Sequence, residues 1–375
     1  MSRIAIIGLG YVGLPLALQA EVKGMKVIGL DLDSEKIRQL QAKKTGFDDK
    51  LVSKRLKKSK INFVSDFRKL KNVDIAIICV PTPVSEDKIP DLSIVKSASL
   101  TAANHMKNGS LLIIESTINP GVCNEVLIPL IEKETIHKID KTLGIAHCPE
   151  RINPGDLKWH VGNINRVVGA DTKESLDLAY DFYSKIIDAE IKKMGSLKEA
   201  EAVKIVENTF RDINIAFVNE LAMSFAKLGI NVNNVIDGAA TKPFAFMPHY
   251  PGIGVGGHCI PVDPYYLIEH AASNGFDHNF LKIARAINES MPVYVIDQLE
   301  EALIECGQGT LKSKNIVVLG ISYKPNVGDH RESPTFVIID ELKNRGAVVE
   351  AYDPYIPDKS SNKPLDQLLK ECDVV

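Results

Sequence analysis

Residues 4–31 constrain the fold of this chain more than any other stretch. Ile4-Ala-Ile-Ile7 is a short apolar run that stops at a glycine. Gly8-Leu-Gly10-Tyr-Val-Gly13 follows, then a helical stretch from Leu14 to Lys23, a second apolar run from Lys26 to Leu30, and Asp31. Strand, glycine turn, helix, strand and acid occur here in the order of a dinucleotide-binding βαβ half. Gly8 permits the tight turn, Gly10 lets a pyrophosphate approach the backbone, and Gly13 lets the helix pack closely. The helix start offers amides and the favourable end of its dipole to phosphate. Asp31 is placed to accept hydrogen bonds from both ribose hydroxyls and to repel a 2′-phosphate, so NAD is expected rather than NADP. The plain alternative is a structural glycine turn, which the surrounding strand–helix–strand order argues against.

Alternation continues beyond this unit. Apolar strands are expected at Ile75–Val80, Leu111–Glu115 and Thr142–His147 with helices between them, which implies a parallel sheet covered on both faces. Near residue 196 the pattern changes. Ser196-Leu-Lys-Glu199 resembles a capping box, and an apolar-periodic helix then runs to Leu228 and stops at Gly229. Residues 241–264 read as a loop rich in glycine, proline and aromatics. A further helix, Phe280 to Cys306, carries Pro292, which is expected to end or kink it. After Gly307, a second alternating unit begins: strand Asn315–Leu319, helix Thr335–Arg345, strand Val348–Tyr352. The final Asp373-Val-Val375 resembles the strand start Asp74-Ile-Ala-Ile, so this last unit is expected to be incomplete. Three domains are expected, at 1–195, 196–308 and 309–375.

Bulk properties exclude several classes. The 375 residues are 45% hydrophobic and 25% charged with a net charge of −3, which suits a soluble globular protein and gives no basic field for nucleic acid. Six scattered cysteines show no metal-ligand spacing, so no metal is expected and reduced, cytoplasmic thiols are. The first residues already form a strand, so no signal peptide is expected, and no apolar run is long enough for a membrane span.

Cys259 adds a chemical proposal to the dinucleotide site. It lies in Gly252-Ile-Gly-Val-Gly-Gly-His-Cys-Ile-Pro-Val-Asp263, where glycines are expected to leave the backbone flexible and the thiol approachable. A nicotinamide beside a thiol suggests that an aldehyde is held as a thiohemiacetal, oxidised to a thioester and hydrolysed to an acid. Asp263 is a candidate base toward water. His258, an immediate neighbour of the cysteine, is expected to point away. Lys204 and Asn208, four apart on the long helix, share a face and are placed to stabilise a developing oxyanion. Thr82 in Cys79-Val-Pro-Thr-Pro83 and Thr117 in Glu115-Ser-Thr117 follow strand ends at the ligand-binding edge. Glu150 follows another. The ordinary alternatives are a buried cysteine, a solvated helix face and threonine loop caps.

Together these segments resemble the UDP-glucose/GDP-mannose dehydrogenase family of nucleotide-sugar 6-dehydrogenases. The resemblance is carried by Gly8–Gly13, Cys79–Pro83, Glu115–Thr117, Cys148–Gly155, Glu201–Thr209, Gly254–Leu267 and Gly320–Pro334, in the family's order across essentially the whole chain. It implies an α/β fold: an amino-terminal Rossmann domain, a central long-helix domain for dimerisation and catalysis, and a carboxyl-terminal Rossmann-like UDP-binding domain. It implies NAD-dependent, four-electron oxidation at C6 of a UDP-sugar for surface polysaccharide or glycan precursors. Gly-Gly-His-Cys-Ile-Pro-Val-Asp263 and Pro149-Glu-Arg-Ile-Asn-Pro-Gly155 resemble the UDP-N-acetylhexosamine branch, with UDP-N-acetylglucosamine expected first and the mannosamine, galactosamine or glucose nucleotides as alternatives. Val262 stands where the UDP-glucose branch has lysine. No arginine lies between Arg211 and Arg285, so Lys242 or His249 is the candidate for the arginine that the UDP-glucose enzymes borrow from a neighbouring subunit.

The resemblance implies catalytic roles for Cys259, Lys204, Asn208, Asp263, Thr117 and Glu150. It implies cofactor contacts from Gly8, Gly10, Tyr11, Val12, Gly13, Asp31, Lys36, Val80, Thr82, Thr117 and Arg331. The sugar nucleotide is expected to meet Glu150, Arg151, Ile152, Asn153, Lys204, Asn208, Tyr250, Pro251, Gly252, Gly254, Gly256 and Lys324. The expected partner is a second copy of the chain, through the central helix. A β-hydroxyacid dehydrogenase, needing one oxidation and no thiol, and a non-catalytic ligand-binding protein are the rival readings.

Overall fold

The computed structural model describes residues 3–47, 49–83, 90–152, 158–257 and 259–375. It divides into two units, Met1–Val206 and Glu207–Val375.

The first unit contains, in order, β1 (Arg3–Ile7), α1 (Gly13–Val22), β2 (Lys26–Leu30), α2 (Ser34–Gln41), α3 (Lys50–Lys58), β3 (Asn62–Val64), β4 (Ile75–Ile78), α4 (Ser93–His105) and β5 (Ser110–Ile114). It continues with α5 (Ile128–Glu134), β6 (Leu143–His147), β7 (Arg166–Ala170), α6 (Lys173–Ile186), β8 (Ile191–Lys193) and the start of α7 (Leu197–Leu228). The strands form one sheet ordered β3-β2-β1-β4-β5-β6-β7-β8. β4 is apolar throughout, and β1 after Arg3 and β5 after Ser110 are too, because helices cover both faces. Alternate residues divide between two cores: Ile4 and Ile6 enter one, Ala5 and Ile7 the other. The sheet differs from the all-parallel expectation at one seam, where β6 and β7 run antiparallel. The chain order reverses between β1 and β4, so the carboxyl ends of these strands open the crevice where such sheets take ligands.

The capping box of α7 forms in shifted register. The Glu199 amide donates to Ser196 Oγ at 3.2 Å, while the Glu199 carboxylate accepts from the Gly195 amide at 2.7 Å. The helix is 32 residues long.

The second unit holds the rest of α7, then α8 (Val232–Ala240), α9 (Asp263–Ser273), α10 (Asn279–Glu305), β9 (Asn315–Leu319), α11 (Pro334–Asn344), β10 (Val348–Tyr352) and α12 (Leu365–Glu371). α9 begins inside the stretch read as loop, where Pro264 suits a first helical turn. α10 runs through Pro292 without ending. Leu311, Ile316, Ile338 and Leu342 pack with Ile296 of α10 into a third core.

β9 and β10 pair in parallel and repeat details of the first unit. Gly8 and Gly320 both follow a first strand with positive φ, and each donates its amide to the last residue of the second strand, Leu30 at 2.8 Å and Tyr352 at 2.9 Å. The Arg3 amide donates to the Asp74 carboxylate at 2.7 Å, and the Asn315 amide donates to Asp373 at the same distance. Val374 bridges Ile316 in parallel, as the start-of-strand reading of Asp373-Val-Val375 expected.

Candidate active site

In the first unit the site is built on the β1–α1 turn. Gly8 has φ +92°, and a Cβ there would meet the Cys79 carbonyl. A Cβ on Gly13 would collide with the Gly8 carbonyl, whereas one on Gly10 would meet no atom of the described residues within 4 Å. Closeness is therefore spent on the turn and helix at Gly8 and Gly13, and the outer side of Gly10 is left open. α1 has no side-chain N-cap, so its first amides are available to an anion. Val12 precedes the helix, and the Tyr11 ring lies 4.3 Å from that of Phe47.

Asp31 is more committed than its sequence position suggests. Its Oδ2 accepts from the Leu9 amide at 2.8 Å and from Lys36 at 2.9 Å, and Oδ1 accepts from the Asp33 amide. The carboxylate thus holds the glycine turn, and Lys36 neutralises it.

Val80 and Thr82 follow β4, and Ser116 Oγ donates to the Val80 carbonyl at 2.8 Å, joining that end to the end of β5. Thr117 follows, half-buried. Lys204 on α7 and Glu150 beyond β6 are both largely buried and lie 3.6 Å apart. Burial raises the Glu150 pKa; Lys204 and Arg166 oppose the rise and Glu115 adds to it. Arg151 donates to the Asn165 carbonyl, and Ile152 packs on the first core. Asn153 lies outside the described residues, as does His258.

In the second unit Cys259 is half-buried, and its carbonyl accepts the Asp263 amide at 2.8 Å, so the cysteine sits one turn before α9. Asp263 is buried, and Asn208 Nδ2 donates to its carboxylate. Lys204 and Asn208 share a helix, but each carries its own acid.

The glycines before Cys259 do a different job from the flexibility expected of them. A Cβ on Gly256 would lie 2.8 Å from Tyr323 Cβ and 3.0 Å from the Glu332 carbonyl. Gly257, at φ +88°, would meet the Tyr323 ring, and its amide donates to the Arg331 carbonyl. The run is glycine because it packs tightly against residues 323–334. Gly254 presses on Pro334 and on the Asn288 carbonyl, which Pro292 cannot hydrogen-bond for lack of an N–H.

A buried polar chain fixes the preceding loop. The Gly252 amide donates to Asn219, Asn219 to Asn288, and Asn288 to Asp212, which also accepts from Arg285 at 2.6 Å. Tyr250, before Pro251, donates to Asp237 of α8. Arg331 is bound two-fold by Asp329, and Lys324 Nζ lies 5.8 Å from the Tyr323 ring.

Sequence reasoning missed Asp353. It follows β10 as Asp31 follows β2, and accepts from the Ile321 and Ser322 amides, each at 2.8 Å, and from Ser322 Oγ. Burial works against its charge, yet these donors hold its pKa below the ordinary value. The signal was present as an acid directly after a second strand.

Comparison with known proteins accounts for this arrangement. Residues 2–187 match the NAD binding domain of the UDP-glucose/GDP-mannose dehydrogenase family, 198–290 its central domain and 317–375 its UDP binding domain. The chain belongs to that family. It is 36% identical to UDP-N-acetyl-D-glucosamine 6-dehydrogenase of Pseudomonas aeruginosa, over 94% of this chain and 83% of the relative. It is 36% identical to UDP-N-acetyl-D-mannosamine dehydrogenase of Pyrococcus horikoshii, over 100% of this chain and 88% of that one. The solved structure of UDP-D-ManNAc dehydrogenase from P. horikoshii superposes with a TM-score of 0.92, covering 99% of this chain and 88% of that one at 36% identity.

As a member of this family, the chain is an NAD-dependent oxidoreductase of the UDP-sugar dehydrogenase type. Its own residues fit the dinucleotide, since the open side of Gly10 and the uncapped start of α1 form a cradle for phosphate. Among the described residues no cluster of metal-ligating side chains occurs, and no helix is long and apolar enough to cross a membrane.

Proposed function

We propose that this protein oxidises C6 of a UDP-N-acetylhexosamine to the uronic acid in two steps, with Cys259 as the covalent nucleophile. The observation that carries the reading is the Cys259–Asp263–Asn208 group: a half-buried thiol one turn from a buried carboxylate that an α7 amide orients. The resemblance to enzymes named for UDP-N-acetylglucosamine and UDP-N-acetylmannosamine supports the sugar class.

NAD supplies the hydride acceptor at each oxidation, and the protein's residues do the rest. The Cys259 sulfur adds to the carbonyl carbon of the C6 aldehyde, and its proton ends on the new hydroxyl. After the second oxidation, water attacks the thioester, the carbon–sulfur bond breaks and the thiol is restored. One alcohol and one water thus yield one acid, with two NAD reduced. Lys204 and Asn208 stabilise the oxyanion, and Asp263 and Thr117 direct the water. Glu150, beside Lys204, orients the sugar hydroxyl, and Lys324 holds the nucleotide.

We assign dimerisation to α7, which exposes Val206, Phe210 and Phe217 along its length. We assign the product, on the sequence reading, to polysaccharide precursor synthesis in the cytoplasm.

NADH counting tests the chemistry. Native protein given UDP-N-acetylglucosamine or UDP-N-acetylmannosamine is expected to yield two NADH per sugar consumed. Cys259→Ser is expected to form no acid. Acid formation by that variant at the native rate, or one NADH per sugar, would refute the covalent route.

A further inference from the structure

Behind Glu150 lies a buried ionic group that the reading above does not use. Arg166 opens β7 and Glu115 follows β5. Both side chains are fully enclosed, and Arg166 Nη1 donates to Glu115 Oε2 at 3.3 Å. The Tyr183 hydroxyl donates to the other Glu115 oxygen. Among the described residues, two further Arg166 nitrogens, Nε and Nη2, are buried without a hydrogen-bond partner, and so is Glu150 Oε1. Buried donors and acceptors left unmatched are costly, and an enclosed ion pair is weak evidence of a stabilising role.

Register places it. β6 and β7 pair Ala146 with Ala170 and His147 with Gly169. Continued past the strand end, the same register sets Glu150 opposite Arg166 and Arg151 opposite Asn165. The Arg151 side chain is near the residue this register sets opposite it, since its Nη1 donates to the Asn165 carbonyl at 2.9 Å. On the other side β6 pairs in parallel with β5, Ile114 beside His147, which sets Glu115 beside Cys148. Side chains alternate along a strand, so Glu115, Cys148, Glu150 and Arg166 share one face of the sheet.

We propose that the Arg166–Glu115 pair is a positioning device that sets the charge and orientation of the Glu150 carboxylate. The proposal rests on the assignment of Glu150 to the reaction. The groups around Glu150 are Lys204 from α7, Arg166 from β7, Glu115 beyond β5, Cys148 between them, Cys79 beyond β4 and Tyr183 from α6. The two thiols stay neutral, as burial pushes Cys148 up to about 12 and Cys79 also upward. Tyr183 is likewise raised, chiefly by burial. Burial is the largest influence and disfavours the Arg166 charge, but the groups around it, Glu115 first and then Cys148, Tyr183 and Glu150, together raise its pKa above the ordinary value. Arg166 and Glu115 act on Glu150 in opposite directions, the first favouring its ionised form and the second opposing it.

Opposite signs give the test. The acidic limb of kcat/KM against pH is measured for native enzyme, Glu115→Gln, Arg166→Gln, Arg166→Lys and Glu150→Gln, each checked for native circular dichroism and NAD binding. Glu115→Gln is expected to move the limb to lower pH and Arg166→Gln to higher pH, each by about one unit, a tenfold rate change on the limb. Arg166→Lys keeps the charge and is expected to keep the limb near native. If Arg166→Gln does not fold, Glu115→Gln and Arg166→Lys decide alone. A limb unmoved in Glu115→Gln, or moved the same way by Glu115→Gln and Arg166→Gln, overturns the proposal. If Glu150→Gln retains the native limb, the assignment of Glu150 itself fails. If Glu150→Gln loses it while Glu115→Gln leaves it in place, only the role of the pair fails.

Discussion

Truncation of Asp212 is the sharpest test of how the loop around Gly252, expected to meet the sugar nucleotide, is held. Asp212 and Arg285 are almost completely enclosed, and their bond is 2.6 Å long. The same carboxylate accepts from Asn288, which passes the constraint through Asn219 to the Gly252 amide. In Asp212→Ala the Arg285 guanidinium keeps Glu289, at 3.1 Å and half-exposed, and the Tyr265 ring, 5.9 Å from its centre. Removing one partner of an enclosed pair costs about 3–5 kcal/mol, because the remaining charge stays desolvated. Asp212→Asn keeps an acceptor of the same shape and is expected to cost about 1–3 kcal/mol. Asp212→Leu with Arg285→Met removes both charges and is expected to recover most of the loss. The assay is urea unfolding followed by far-ultraviolet circular dichroism, which sees α7 and α10. Tryptophan emission is the wrong probe, because the single tryptophan, Trp159, belongs to the first unit. Slackening of the loop is expected to raise KM for the sugar nucleotide more than it lowers kcat. Asp212→Ala within about 0.5 kcal/mol of native, well below the cost of breaking such a pair, would refute the reasoning.

Two further outcomes concern the first unit. Gly13→Ala drives a Cβ into the Gly8 carbonyl, so NAD affinity is expected to fall at least tenfold in a fluorescence titration, and native affinity would contradict the packing argument. Burial lowers the His147 pKa from 6.5 to about 3, so the unfolded chain binds this proton more readily and the stabilisation present above pH 6.5 is lost as pH falls toward 3. At about 1.36 kcal/mol per unit this single group contributes at most about 5 kcal/mol of acid sensitivity. His147→Gln is expected to flatten the denaturant midpoint across that window, and an unchanged slope would count against it.

The parts of this molecule that local rules determine were legible in the sequence. β2, β9 and β10 fall at the expected residues because apolar runs bounded by Gly, Asp or Asn leave little choice. The antiparallel seam at β6–β7 was not legible, because direction depends on where a connection crosses and not on strand composition. α10 passes through Pro292 because its packing outweighs one missing hydrogen bond. Within the candidate site, spacing paired Lys204 with Asn208, but it could not show that Glu150 and Asp263 divide them. Arg166 gave no signal at all, since an arginine in a short strand reads as an edge residue until its burial is known. The meaning of the glycines before Cys259 was inverted, as composition alone cannot separate slack backbone from crowded backbone.

That crowding limits how substrate preference can be redesigned. With Gly254, Gly256 and Gly257 wedged against Pro334 and Tyr323, the strip that carries Cys259, the proposed nucleophile, has no latitude for larger residues. Attempts to admit a different hexose are better aimed at outward-facing neighbours such as Tyr250 and Ile253, where side-chain bulk can vary while the sulfur keeps its place.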